Sequence, residues 1–279
     1  MEKNFQFRWQ EIKAKLLQPD ELPGVVKLIE KGEVFKDWKR SWRPPSISDS
    51  LLTNSIDIAC ADPNHPYVGQ LRSYALQVLD KALKDTPRWA EDADWGKPPF
   101  GAAYWFETVT SYEQAHAWQQ DEEIDAAPVL DACCRYVAAV PSLKGGVLWS
   151  HSSQVQMLIV VLWLLYVGAI DEAKQALALP KRYHYAAELN TWTRELVRQW
   201  TSEGVATDAA LAHFDSLYQR VRDPDWRKSL PSFREQEAAG QCYPSMKSLF
   251  RLQLALLRRR LQGRSLAGQW GRLIEEMAA

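Results

Sequence analysis

The longest apolar run of the chain extends from Met157 to Val167. A helix over this run has no polar face, so it must be surrounded by other helices rather than lie on a surface. The run is also shorter than the roughly 20 residues that a membrane-spanning helix needs. Gly168 can end the helix by adopting a left-handed conformation, and Asp171 is placed to cap the helix that follows. We therefore predict a helical hairpin over residues 150–179, with the buried helix at the centre of the fold.

Apolar residues recur at helical spacing through most of the remaining chain. No segment alternates with the two-residue period of a strand for more than a few residues, so we predict an all-α protein. A surface loop is predicted at about residues 86–100. The other predicted helices cover about residues 4–17, 21–29, 34–42, 51–62, 66–84, 101–120, 128–140, 182–200, 208–221, 245–261 and 265–278.

Short connections make neighbouring helices pack antiparallel. The expected architecture is a set of stacked antiparallel helical hairpins, solenoid-like or an irregular multi-helix bundle, around a buried central helix at about 157–167. The small residues after Gly168 resemble one unit of a tetratricopeptide-type solenoid, but its period does not recur. With 279 residues the chain can bury a large core. We expect a single all-α domain over 1–279, with 1–45 as a candidate helical subdomain packed on 46–279.

The composition is that of a folded protein, because 46% hydrophobic and 25% charged residues exclude disorder as the main state. The 13 tryptophans suit either thick helix interfaces or an aromatic-lined groove. The amino-terminal segment is charged from its second residue and lacks the pattern of a secretory signal, so a cytoplasmic location is expected. The four cysteines show no CxxC spacing, which predicts buried reduced thiols rather than disulfides or metal ligands.

The charges are unevenly distributed, although the formal net charge is only −1. No Lys or Arg lies between Lys97 and Arg135, and no acid lies between Glu237 and Glu275. The two regions could pair with each other or could each face a partner. The helix predicted at 245–261 ends in three consecutive arginines, but its interleaved apolar residues favour packing over contact with nucleic acid.

The sequence carries none of the usual catalytic signatures: it has no GxSxG, GxxxxGK[ST], GxGxxG or HExxH motif. The strongest enzyme-like string, DEEID at residues 121–125, looks like the acidic DDxxD motif of all-α terpenoid synthases. In that family such carboxylates hold magnesium and a substrate diphosphate. The second metal motif of that family has no counterpart near residues 229–237, and Pro128 places the acids in a turn. We therefore expect no catalytic residue, metal or cofactor, with a magnesium-dependent enzyme of isoprenoid diphosphate type as the alternative.

The acidic middle of the chain is also rich in tryptophan. Aromatic side chains contribute buried area to a protein interface, and carboxylates speed the encounter with a basic partner. The alternative is that the aromatic residues form core and the acids are solvated. We predict a partner-binding surface composed of Asp121, Glu122, Glu123, Asp125, Trp89, Trp95 and Trp118.

These features together resemble a known class of proteins. An all-α chain of this size, rich in tryptophan, with acidic patches and the core VLWLLYVGAIDEAKQAL, looks like the helical immunity proteins of bacterial polymorphic toxin systems. The resemblance implies a non-catalytic cytoplasmic protein that binds and neutralises a cognate toxin. If that toxin were a nuclease, its basic substrate groove would be the natural target of the acids. A helical scaffold or regulatory protein is the remaining alternative.

Overall fold

The described part of the chain consists of helices and the turns between them. The computed structural model describes residues 51–52, 55–56, 58–60, 62–91, 100–140, 151–179, 187–200, 209, 212–213 and 248–278. No strand occurs among them, and the predicted all-α class is confirmed. The helices are α1 (Pro66–Glu91), α2 (Phe100–Gln120), α3 (Ala126–Ala139), α4 (His151–Val167), α5 (Ile170–Ala178), α6 (Ala187–Gln199), α7 (Ser248–Leu261) and α8 (Trp270–Ala278).

Several predictions fall outside these residues. The three helices predicted before residue 45, and with them the candidate subdomain over 1–45, lie outside the described residues. Most of the helix predicted at 208–221 lies outside them as well, as does the Arg182 end of the helix predicted at 182–200.

The described residues group into two compact units, each assembled from segments that are distant in sequence. Unit 1 takes its described residues from Met1–Pro87, Glu107–Ile124 and Ala267–Ala279. Unit 2 takes its described residues from Arg88–Phe106 and Asp125–Leu266. The single domain expected over 1–279 stays a prediction.

Helix α4 is the centre of unit 2. Between Met157 and Leu165 every side chain except that of Ile159 is buried. Helices α3, α5, α6 and α7 all pack against α4, which explains how a helix without a polar face is accommodated. The predicted buried central helix is confirmed. No helix in the described part of the chain is long and apolar enough to cross a membrane.

The turn between α4 and α5 has the predicted glycine but not the predicted cap. Gly168 has a φ of 83°, and Ala169 N–H donates to the Leu164 carbonyl oxygen at 2.8 Å, which closes the end of α4. Helix α5 then begins two residues earlier than predicted, with Ala169 at the N-cap position and no side-chain cap. The prediction that Asp171 caps this helix is therefore wrong. Its carboxylate lies inside the first turn and accepts from Lys174 Nζ at 3.1 Å.

Unit 1 has its own core. Helix α1 contributes one apolar face, and α8 contributes the face that begins at Trp270. Residues 108–111 of α2 are buried in succession, so this part of α2 is covered on all sides. The principal buried residues of α1 and α8 are Leu71, Ala75, Val78, Leu79, Ala82, Trp270, Leu273, Ile274 and Met277.

Three further predicted boundaries differ from the structure by at least two residues. Helix α1 continues through Pro87 to Glu91, where we predicted a loop because residues 86–100 show no helical period. Helix α3 starts at Ala126 rather than Pro128, since Asp125 supplies its cap. Helix α8 starts at Trp270 rather than at residue 265, because Gly268 takes a left-handed φ of 68° before it.

The described cysteines are thiols, in accordance with the prediction against disulfides. Cys60 and Cys133 are buried, but Cys134 is exposed on α3, so the expectation of uniformly buried thiols is wrong for that residue. Burial raises the pKa of the Cys133 thiol far above its ordinary value, which keeps it protonated.

Candidate functional site

The predicted acidic turn begins where helix α2 ends. Asp121 has a φ of 55°, and Glu122 N–H donates to the Ala117 carbonyl oxygen at 2.9 Å. This is the left-handed closure that glycine usually provides at the end of a helix, and Gly168 and Gly263 provide it after α4 and α7. Aspartate tolerates this conformation better than most residues with a side chain, although at some cost. The backbone of the turn is thus held in one conformation.

This turn receives the start of the C-terminal helix. We call Asp121, Glu122 and Glu123 the acidic loop, and residues 267–277 the C-terminal segment. Gly268 N–H donates to the Asp121 carbonyl oxygen at 2.8 Å, and Trp270 N–H donates to Asp121 Oδ1 at 3.1 Å. The first amide of a helix has no partner within the helix, so Asp121 acts as its cap from a distant part of the chain.

The other two acids complete the attachment. Trp270 Nε1 donates to the Glu122 carbonyl oxygen at 2.8 Å, and Ala267 N–H donates to Glu123 Oε1 at 3.2 Å. Glu122 contributes its backbone to these contacts, while its exposed carboxylate forms none of the hydrogen bonds between the acidic loop and the C-terminal segment.

An aromatic stack lies beside the acidic loop. The indoles of Trp118 and Trp270 stack with their centroids 6.2 Å apart, and the Arg72 guanidinium lies 4.7 Å from the Trp118 ring centroid. Arg72 Nε also donates to Gln119 Oε1 at 2.7 Å. Burial lowers the pKa of the Arg72 guanidinium, a desolvation cost that the ring and the amide contacts offset. The stack fixes α8 to α1 and α2 within unit 1.

Asp125 belongs to unit 2 and has a separate role. Its carboxylate Oδ1 accepts from Ala127 N–H at 3.0 Å and caps helix α3. An N-cap aspartate of this kind stabilises a helix by about 1 kcal/mol. This contact explains the residue without reference to a partner, although its side chain is exposed.

The seven residues of the predicted surface do not lie in the same environment. The side chains of Asp121, Glu122, Glu123 and Asp125 are exposed. Trp118 is only 7% exposed and lies in the core of unit 1, so it has to be removed from the predicted surface. Trp89 lies near the end of α1 with its side chain outside the described residues, and Trp95 lies outside them altogether.

The two oppositely charged regions of the sequence do meet, but through the backbone. Three amides of the C-terminal segment donate to the acidic loop. Within the described residues, no Lys or Arg side chain forms an ion pair with Asp121, Glu122 or Asp125. Arg259, one of the three consecutive arginines, is buried and donates from Nη2 to the Ser265 carbonyl oxygen at 3.1 Å.

The sequence contained no signal for three of the residues that build this site. Trp270, Arg72 and Ala267 reach the acidic loop or Trp118 only through tertiary contacts, and the Trp270–Asp121 hydrogen bond joins residues 149 positions apart. In the part of the chain that the structure describes, no group of three or more His, Cys, Asp or Glu residues is arranged to hold a metal ion. Residues 229–237, the region considered above for the second metal motif of terpenoid synthases, lie outside that part.

Comparisons of the chain with protein-family models, with curated proteins and with solved structures found no match in any of the three.

Proposed function

We propose that this chain is a non-catalytic, cytoplasmic protein-binding protein, and specifically an immunity protein that neutralises a cognate bacterial toxin. The proposed contact is between the acidic loop and a basic surface of the toxin. A nuclease fits this description, because its substrate groove has to attract phosphates and would also attract carboxylates.

The observation that carries the proposal is that the acidic loop has exposed side chains and a hydrogen-bonded backbone. The side chains of Asp121, Glu122 and Glu123 are exposed, while their backbone is held by the end of α2 and by the C-terminal segment. A charged loop that is already ordered loses little conformational entropy when a partner binds. All charged residues between Lys97 and Arg135 are acidic, and a surface with only negative charge accelerates association with a basic protein.

Glu122 is the best candidate for direct contact with the partner. The carboxylates of Asp121 and Glu123 each accept a backbone N–H of the C-terminal segment, whereas Glu122 uses its carbonyl oxygen. Substitution of its side chain therefore changes the surface charge and leaves these hydrogen bonds in place.

A protection assay tests the proposed function. An immunity protein is normally encoded beside its toxin, so the protein encoded next to this chain is expressed in a laboratory bacterium with and without the chain. We expect growth arrest by the neighbour alone and restored growth when the wild-type chain is present.

The matched variants place the effect on the acidic loop. Glu122→Lys should weaken protection, whereas Glu275→Lys, which reverses an exposed charge on α8 of the same unit, should protect as well as the wild type. A harmless neighbour, or a toxic one that the wild-type chain does not restrain, would refute the immunity function.

A further inference from the structure

Two of the hydrogen-bond acceptors that join the C-terminal segment to the rest of unit 1 are exposed carboxylates. Asp121 and Glu123 are both exposed, and the carboxylate of each accepts one amide of the segment. Water competes for such hydrogen bonds, so they break more readily than buried ones. The start of α8 is therefore held partly by hydrogen bonds at the surface, whereas the rest of the helix is held by the core.

The segment has little stability of its own. Helix α8 contains nine residues, and an isolated helix shorter than about 12 residues is marginal in water. Its order therefore depends on the contacts that Trp270, Leu273, Ile274 and Met277 make in the core. If those contacts are lost, the helix should be lost with them, so docking and folding of α8 form one step.

The connection to unit 2 contains two positions at which the backbone can turn. Gly263 and Gly268 have φ values of 63° and 68° and flank the start of the segment. Glycine visits both signs of φ at small cost, so these residues can absorb a change of chain direction.

We propose that residues 267–277 are a strap that opens from the rest of unit 1 and closes on it in a single step. The Asp121 carboxylate holds the strap closed through its hydrogen bond to Trp270 N–H. This goes beyond the proposed function, because the motion needs no partner. The strap contacts the thiol of Cys60, which is 5% exposed and whose Sγ lies 3.9 Å from the Ile274 carbonyl oxygen. Opening of the strap removes this contact, so Cys60 becomes more reactive.

Thiol labelling of the full chain under native conditions measures this opening. Peptide mass spectrometry assigns each modified cysteine, so one sample reports three sites. Cys134 is exposed and measures the reactivity of the reagent, while Cys133 is buried in unit 2 and measures unfolding of that unit. Cys60 reports the strap.

Two variants of Asp121 separate the effect of its carboxylate from the effect of its backbone conformation. Asp121→Gly keeps the left-handed turn and removes the carboxylate, whereas Asp121→Asn keeps both the turn and an acceptor oxygen. Loss of a helix cap should speed labelling of Cys60 by about fivefold in Asp121→Gly, while Asp121→Asn should remain within about twofold of the wild type. Labelling of Cys133 should change in neither variant.

Three results would overturn the proposal. Unchanged Cys60 labelling in Asp121→Gly would show that the carboxylate does not hold the strap closed. Equal acceleration in Asp121→Gly and Asp121→Asn would remove the acceptor oxygen from the account. Parallel acceleration of Cys60 and Cys133, or Cys60 labelling with the same urea dependence as equilibrium unfolding, would mean that α8 opens only when the core around it unfolds.

Discussion

Asp121 shows how one residue can serve two helices. Its backbone ends α2 in the left-handed conformation, and its carboxylate caps α8. After α4 and α7 the first role falls to Gly168 and Gly263, which carry no side chain for the second. The sequence shows that residue 121 is an aspartate but not that it caps α8, because the amide that it caps lies 149 positions away.

A residue-scale prediction concerns Gly168. Nothing lies within 4 Å of a Cβ built at this position, so Gly168→Ala creates no clash and only the φ of 83° opposes it. The left-handed conformation costs a residue with a Cβ about 1–2 kcal/mol. We expect Gly168→Ala to lower the free energy of unfolding by that amount in urea denaturation.

Gly69 provides the matched control for this prediction. It lies exposed inside α1, also with open space around a built Cβ and without a positive φ. Gly69→Ala should raise the free energy of unfolding by about 0.5–1 kcal/mol, since alanine is the better helix former. The conformational account of Gly168 fails if the two substitutions change stability in the same direction.

At the scale of elements, the sequence predicts the features that depend on neighbouring residues better than those that depend on distant ones. The position and burial of α4 follow from an uninterrupted apolar run that admits only one environment. The start of α8 was not predictable in this way, because the cap of Trp270 comes from Asp121 and no neighbouring residue indicates it. The end of α1 was missed for another reason: residues 86–100 show no helical period, yet the helix continues through Pro87 to Glu91.

Leu164 tests whether α4 is the centre of unit 2. Its side chain is fully buried, so Leu164→Ala should leave a cavity and lower the free energy of unfolding by about 2–5 kcal/mol. Leu130→Ala, on the half-buried side of α3, removes the same atoms and should cost clearly less. Equal losses in urea denaturation would argue against the central position of α4.

At the scale of the whole molecule, the asymmetric charge is the feature that connects structure to the proposed function. The sequence predicted where the acids lie, and the structure shows that the acidic loop has an ordered backbone and exposed side chains. The sequence could not separate the acids that support helices from those that are available to a partner. Asp121, Glu123 and Asp125 accept backbone amides, whereas Glu122 offers only its carbonyl oxygen to the C-terminal segment. Trp118 illustrates the same limit, because burial depends on Trp270 and Arg72.

The most direct test of the account measures association kinetics between the chain and the toxic protein encoded beside it. The wild type, Glu122→Lys and Glu275→Lys are compared at low and at high salt. We expect Glu122→Lys to slow association by about tenfold at low salt and to lose most of this effect at high salt, because screening weakens exposed charges. Glu275→Lys should associate like the wild type. If Glu122→Lys and Glu275→Lys bind the partner equally well under both conditions, the acidic loop is not the binding surface.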